Sequence, residues 1–204
     1  MSRINQTLAA DRRRFVHAAL AGGVLLAVGG GVLVPRLFAA GFADSNQPVG
    51  KPGNVPLEIF GDDGRDLGQR EVPRLVLSDA QWKQRLSPAA FDVMRRDGTE
   101  RAFSGAHERP AAKGLFRCAA CATALYDAAT EFDSGTGWPS FWQPIAARNV
   151  IQHTDSTFGM DRTAISCAGC DSHLGHVFDD GPRPTGLRYC MNSVALRFSP
   201  RVTA

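Results

Sequence analysis

The chain has 204 residues, 44% of them hydrophobic and 21% charged, which excludes low-complexity and disordered classes and suffices for one buried core with an appendage. The net charge of +3 is concentrated at the start: residues 1–43 carry Arg3, Arg12, Arg13, Arg14 and Arg36 against Asp11 alone, and 18 basic and 19 acidic residues remain beyond them. That remainder holds no basic field of the kind nucleic acid requires.

Residues 1–43 read as an address. Asp11-Arg12-Arg13-Arg14-Phe15-Val16 precedes Ala18 to Val34, a run without a charged or polar side chain. An arginine pair ahead of a modestly apolar, Gly-rich run resembles a twin-arginine export signal, and Gly41-Phe42-Ala43 offers a cleavage site. An uncleaved membrane anchor is the alternative, because 17 residues is the lower edge of what spans a bilayer. Both readings place the protein outside the cytoplasm, periplasmic or held at the membrane by its N-terminus alone, and a cytoplasmic protein with an unusual N-terminus is the remaining alternative.

Residues 44–74 come next. Asp44 to Pro56 is rich in Pro, Gly, Asn and Ser and reads as a linker, and the stretch after it carries no firm assignment. Ser78-Asp79-Ala80-Gln81 is a capping box that starts a helix. Ser87-Pro88 starts a second, with Phe91 and Met94 at helical spacing and Gly98 as a left-handed stop.

From Lys113 the pattern becomes short apolar runs between turn residues. Leu115-Phe116-Arg117, Thr163-Ala164-Ile165, His176-Val177-Phe178 and Val194 to Phe198 read as strands. The expected fold is mainly β, an antiparallel sheet domain over 75–204 led by two short helices.

Five cysteines are present, four of them in two Cys-x-x-Cys pairs. Cys118-x-x-Cys121-x-x-x-Leu125 recurs 49 residues later as Cys167-x-x-Cys170-x-x-x-Leu174. Two such knuckles facing each other would bring four sulfurs into a closed tetrahedral site for one structural Zn2+. Two local disulfides, a redox pair and iron stand as alternatives on spacing and ligand type.

Cys190 stands apart in Arg188-Tyr189-Cys190-Met191-Asn192. On a strand, Arg188 and Asn192 would share its face, the cation favouring thiolate and the amide donating to a developing oxyanion. A small buried hydrophobe is the bland alternative for a lone cysteine. His173 and His176 supply imidazoles suited to proton delivery at neutral pH, or are core or surface residues. In Asp133-Ser134-Gly135-Thr136-Gly137-Trp138-Pro139-Ser140-Phe141-Trp142, two glycines and a proline bracket aromatics. Trp138 with Phe141 reads as an aromatic wall for a small apolar group such as a methylthio, with core packing as the alternative.

Four runs carry a family resemblance over residues 75–198. They are Phe-Asp-Ser-Gly-Thr-Gly-Trp-Pro-Ser-Phe at 132–141, His-Leu-Gly-His-Val-Phe at 173–178, Asp-Gly-Pro at 180–182 and Arg-Tyr-Cys-Met-Asn-Ser at 188–193. With the two cysteine pairs, they resemble the B-type methionine sulfoxide reductases, which act on the R epimer. The resemblance implies Cys190 as nucleophile, His176 as proton donor to the sulfoxide oxygen, and His173 and Asp180 shaping that proton network. It implies Trp138 as the wall for the substrate's S-methyl, Arg188 and Asn192 as supports of the thiolate, and zinc away from the nucleophile.

The chain departs from the family in three places. Thr136 stands where some members carry a resolving cysteine, Ala122 where glycine is usual, and Ala164 where glutamate is frequent. With four cysteines on zinc, Cys190 is expected to be recycled by an external, thioredoxin-like thiol. Oxidised proteins or peptides are the expected substrates, and a monomer the expected state.

Overall fold

In a computed structural model the structure describes residues 48–105, 113–156 and 161–201. The expected export segment, residues 1–43, lies outside them. No helix among the described residues is long and apolar enough to cross a membrane.

The strands, in chain order, are β1 (Pro48–Val49), β2 (Asn54–Phe60), β3 (Asp66–Pro73) and β4 (Leu77–Ser78), then β5 (Gly114–Cys118), β6 (Ala124–Asp127), β7 (Glu131–Phe132), β8 (Ser140–Phe141) and β9 (Val150–Asp155). They close with β10 (Arg162–Cys167), β11 (His173–Phe178), β12 (Arg188–Met191) and β13 (Leu196–Pro200). Two helices, α1 (Asp79–Arg85) and α2 (Pro88–Arg96), separate β4 from β5. Among the described residues the main sheet runs β7-β8-β12-β11-β10-β9, a second runs β13-β5-β6, and every pairing is antiparallel. The expected mainly β fold with two leading helices is the observed one.

Both helix starts follow from their caps. The Ser78 hydroxyl accepts from the Gln81 N–H while the Gln81 side chain takes the Ser78 N–H, and the Ser87 hydroxyl accepts from the Ala90 N–H ahead of Pro88. The left-handed stop of α2 is Asp97, at φ 54, one residue earlier than expected. Gly98 follows with its N–H on the Asp92 carbonyl, and a Cβ there would lie 2.7 Å from the Asp92 carboxylate.

Three readings need correction. Residues 54–56, read as the end of a linker, open β2, and the unassigned stretch after them completes a β2–β3 hairpin whose Val55 and Leu57 are buried with Ala168. Its polar and Gly-rich ends masked a short alternation that a neighbouring surface completes. The last strand begins at Leu196, because Ser193–Ala195 wind into a 3-10 turn. The Glu100 carboxylate accepts from the N–H groups of Ser193 and Val194 there, a distant cap that local pattern does not announce. Phe141 faces the core, fully buried and stacked on Tyr126 at 4.3 Å between ring centroids, so it lines no substrate wall.

Trp82, Met94, Phe116, Leu125, Tyr126, Phe141, Ile165, Leu174 and Met191 form the centre of the core. They join α1 and α2 to both sheets, and so fix β11 and β12, the two strands that carry the chemistry.

Candidate active site and metal centre

The two cysteine pairs close alike. Cys118 N–H donates to the Thr123 carbonyl and Ala122 N–H to the Cys118 carbonyl; Cys167 N–H donates to the Ser172 carbonyl and Asp171 N–H to the Cys167 carbonyl. The residue after each pair is left-handed, Ala122 at φ 66 and Asp171 at φ 55. A hydroxyl then meets the second sulfur of each pair, Thr123 on Cys121 at 3.1 Å and Ser172 on Cys170 at 3.2 Å. The internal echo in the sequence is therefore a repeated turn.

The knuckles face each other. All four sulfurs lie within 4.8 Å of one another, with Cys118–Cys170 at 3.7 Å and Cys121–Cys167 at 3.5 Å. A tetrahedral zinc with Zn–S bonds of ~2.3 Å needs sulfur–sulfur edges of about 3.8 Å. A disulfide needs about 2.05 Å, and all five cysteines are free thiols. The four cysteines fit one structural zinc ion and would fill its four positions, so the metal would clip two distant segments together with no coordination position left open.

Arginines brace the knuckles from outside. Arg85 of α1 donates to the Ala120 carbonyl, Arg95 of α2 donates to the Cys170 carbonyl while stacking on Trp82, and Arg74 pairs with Asp171. Asn149, fully buried, ties the hairpin in: its amide donates to the Glu58 and Ala124 carbonyls and accepts from the Glu58 N–H. Sequence reasoning missed Asn149, since an asparagine near a turn reads as surface.

Cys190 sits in the middle of the main sheet. Along β12, Tyr189 and Met191 are buried while Arg188 and Cys190 face the other way, half-buried. Cys190 pairs in register with His176 on β11 and with Ser140 on β8. That row brings together what the sequence scattered over residues 140, 176 and 190, with side chains sharing one face. The close approach of β11 and β12 requires Gly175, because a Cβ there would stand 2.1 Å from the Cys190 carbonyl oxygen.

The surroundings of the thiol differ from expectation in one respect. Burial pushes the Cys190 thiol up from its ordinary range, and the Arg188 cation and the hydroxyls of Thr136 and Ser140 only partly offset this. Arg188 is itself fixed by a two-pronged ion pair to Asp180, with both N–O distances 2.8 Å, and its guanidinium lies over the Phe178 ring at 4.4 Å. Asp180 therefore acts on the site through Arg188, which holds its carboxyl below the usual range, and not through a histidine network. A hydroxyl chain missed in the sequence, Ser140 to Ser134 to Thr136 at 2.7 and 2.8 Å, ends 4.0 Å from the Cys190 sulfur.

Asn192 does not share the face of Cys190. The strand ends at Met191, and Asn192 is buried with its amide nitrogen on the Leu174 carbonyl and its oxygen on the Glu100 N–H. It joins the segment at Glu100 to the start of β11 and has no open path to an oxyanion. His173 is buried with neither ring nitrogen bonded to a protein group among the described residues. Burial lowers it to about 4, so its ring stays neutral at pH 7. It stacks edge-on to His176 at 5.3 Å. His176 Nε2 lies 2.8 Å from the Asp155 carboxylate.

Trp138 flanks this row. Its indole N–H donates to the Glu100 carbonyl, and it lines a cleft of about 270 Å³ with Phe103, Pro139, Ser140 and Ser193. Phe103 is 78% exposed and left-handed at φ 60, held by its N–H on the Gly137 carbonyl. A Cβ on Gly137 would lie 2.6 Å from the Phe103 ring, so the Gly-Thr-Gly run also seats this aromatic. An exposed phenylalanine in such backbone was the one signal for it, visible only in three dimensions.

Comparison with known proteins agrees with this geometry. Residues 86–200 match the SelR domain family. A protein named peptide methionine sulfoxide reductase MsrB from Thiobacillus denitrificans is 53% identical over 124 residues, covering 61% of this chain and 94% of that protein. Relatives of the same name from Agrobacterium fabrum and Leptospira interrogans are 50% and 51% identical, covering 63% and 59% of this chain and 95% and 92% of theirs. By its matched domain, its identity to these relatives and its ordered Cys190 row, the chain belongs to the MsrB family of methionine sulfoxide reductases.

Proposed function

We propose that the chain is a peptide-methionine (R)-S-oxide reductase in which Cys190 attacks the sulfoxide sulfur and His176 supplies the proton to its oxygen. The observation that carries the residue assignment is the register: a half-buried free thiol directly opposite a histidine, beside a cleft walled by Trp138 and Phe103.

The reaction balances on these groups. Protonation makes the sulfoxide sulfur electrophilic, and the Cys190 sulfur, losing its own proton, attacks. Two electrons pass from cysteine sulfur to substrate sulfur, methionine leaves, and Cys190 holds the oxygen as a sulfenic acid. An external thiol condenses with the sulfenic acid, releasing water and leaving a mixed disulfide, and a second thiol restores Cys190. Arg188, held by Asp180 and Phe178, stabilises the thiolate as it forms in a buried setting. The zinc ion, when bound by Cys118, Cys121, Cys167 and Cys170, supplies structural closure only.

Export is part of the proposal. Arg12-Arg13 before an uncharged run of 17 residues supports delivery to an oxidising compartment, where surface methionines are oxidised. A retained anchor would leave the same domain at the membrane. We further expect the domain to act as a monomer. An Arg12→Lys/Arg13→Lys variant should stay in the cytoplasm, and its appearance in the periplasm would refute the export reading.

An epimer assay with dithiothreitol tests the function. Wild type should consume the R sulfoxide and spare the S form, Cys190→Ser should consume neither, and both should carry one zinc per chain. Activity surviving in Cys190→Ser would overturn the nucleophile.

A further inference from the structure

The catalytic row extends beyond Cys190 and His176. On β10 the residue opposite His176 is Ala164, and the residue opposite Ala164 on β9 is His153. Asp155, two residues along from His153, lies on that same face. Because Ala164 presents only a methyl group, nothing at that position blocks the reach of Asp155 across β10 to His176. The contact is made at 2.8 Å, from His176 Nε2 to Asp155 Oδ2. The same oxygen accepts from Arg162 at 2.7 Å. All three side chains are largely withdrawn from solvent, 12% exposed for His176, 16% for Asp155 and 27% for Arg162.

We propose that Asp155 is a positioning residue of this active site: held by Arg162, its carboxylate accepts the Nε2–H of His176 and dedicates Nδ1 to the proton transfer at the substrate. A carboxylate paired with a guanidinium has no proton to give, so it accepts, and the imidazole nitrogen facing it must carry the hydrogen. The proton that travels is then taken up and released at the other ring nitrogen, which carries it only while the ring is imidazolium. The ring is also fixed in orientation, which matters because a general acid acts only within hydrogen-bond reach of the atom it protonates. Ala164, directly opposite His176, carries no group that could pair with the ring, so the carboxylate that reaches it is the one two residues off the row. This inference rests on the proposed role of His176, and its test is chosen to separate the two.

Three measurements decide it. Long-range nitrogen–proton correlation at a pH where the rings are neutral should show His176 protonated at Nε2 in wild type. In Asp155→Asn, whose amide both donates and accepts, a population protonated at Nδ1 should emerge. In the reductase assay Asp155→Asn should lose roughly tenfold to hundredfold in kcat, less than the ~10²–10⁴ assigned to a general acid itself, with KM little changed. Ala164→Glu combined with Asp155→Asn should recover part of that kcat, since it returns a carboxylate directly opposite His176.

A wild-type His176 protonated at Nδ1 would overturn the proposal. So would an Asp155→Asn enzyme that keeps full kcat while Cys190→Ser is dead. Should the wild type reduce no sulfoxide, the function itself fails, and the nitrogen correlation still reports whether Asp155 sets the tautomer. Should the double variant not fold, the single variant's tautomer and kcat remain decisive.

Discussion

Thr136 holds its hydroxyl oxygen 4.0 Å from the sulfur of Cys190, while the other four cysteine sulfurs are gathered within 4.8 Å of one another in the knuckles. Cys190 is thus left without a thiol at the position a resolving cysteine would take. One equivalent of sulfoxide should remove one thiol per chain and leave a sulfenic acid that a 1,3-dione reagent traps. Thr136→Cys should remove two thiols and yield a disulfide between 136 and 190, read by thiol titration and mass mapping. A wild-type disulfide from Cys190 to a knuckle cysteine would contradict the one-cysteine cycle.

The resting state of Cys190 sets a second expectation. Its pKa is raised by burial, so the thiolate is scarcer at neutral pH than in a free cysteine and grows as pH rises. Alkylation by iodoacetamide should be slow at pH 7 and accelerate with a midpoint above that of an exposed thiol. Arg188 opposes the shift, so Arg188→Gln should move the midpoint further up. A fall in the midpoint on losing the cation would show that Arg188 does not stabilise the thiolate.

How much of this was legible beforehand differs by residue. The capping box at Ser78, Pro88 at the start of α2 and the repeated Cys-x-x-Cys are local codes, complete within four or five residues, and the structure realises each. Cys190 and His176 were legible as types, and their meeting required knowing the register of β12 on β11. Asn192 was misread because period-two reasoning was continued past a strand that ends at Met191. Asp155, Asn149 and Phe103 were not seen because each acts through a partner 21, 91 or 34 positions away. The export segment is read from sequence alone.

His173 makes stability depend on acid. Its folded pKa is lowered from 6.5 to about 4 by burial, so below pH 6.5 the unfolded chain binds a proton that the folded chain refuses. Its stabilising contribution is complete above pH 6.5 and is lost as pH falls towards 4. Between pH 7 and pH 5 the loss from this ring is about 2 kcal/mol. Urea midpoints for wild type and His173→Gln at both pH values should differ by that amount in slope, and other acid-sensitive groups cancel in the comparison. Equal slopes would show that the ring is protonated in the fold.

Ala122 carries a cost that its sequence position concealed. At φ 66 it holds the left-handed turn that closes the first knuckle, where a Cβ costs about 1–2 kcal/mol. Ala122→Gly should raise stability by about 1 kcal/mol, a rise in Tm of roughly 2–4 °C for a domain of this size. Asp171→Gly relieves the same strain at the second knuckle and removes the ion pair to Arg74, so its gain should be smaller. Differential scanning calorimetry on the two variants separates these contributions. No gain at Ala122 would show that the turn relaxes around it.

The β2–β3 hairpin lies outside the matched domain, yet it bears on the metal. Leu75 donates its N–H to the Gly169 carbonyl, Arg74 pairs with Asp171, and Arg117 donates to the Phe60 and Gly61 carbonyls. Cys121, the least buried of the four ligands, lines a cleft of about 390 Å³ whose far wall is Leu57, Phe60 and Val72. Removing the Leu57 side chain should cost about 2 kcal/mol or more of that packing. If the hairpin must lift before a chelator reaches Cys121, Leu57→Ala/Arg74→Ala should release zinc roughly 5–30-fold faster. The alkylation rate of Cys190 should stay at the wild-type value, because the hairpin is a separate sheet from β12 and supplies no lining residue to the Trp138 cleft. Zinc transfer at an unchanged rate would show that the knuckles open from another side.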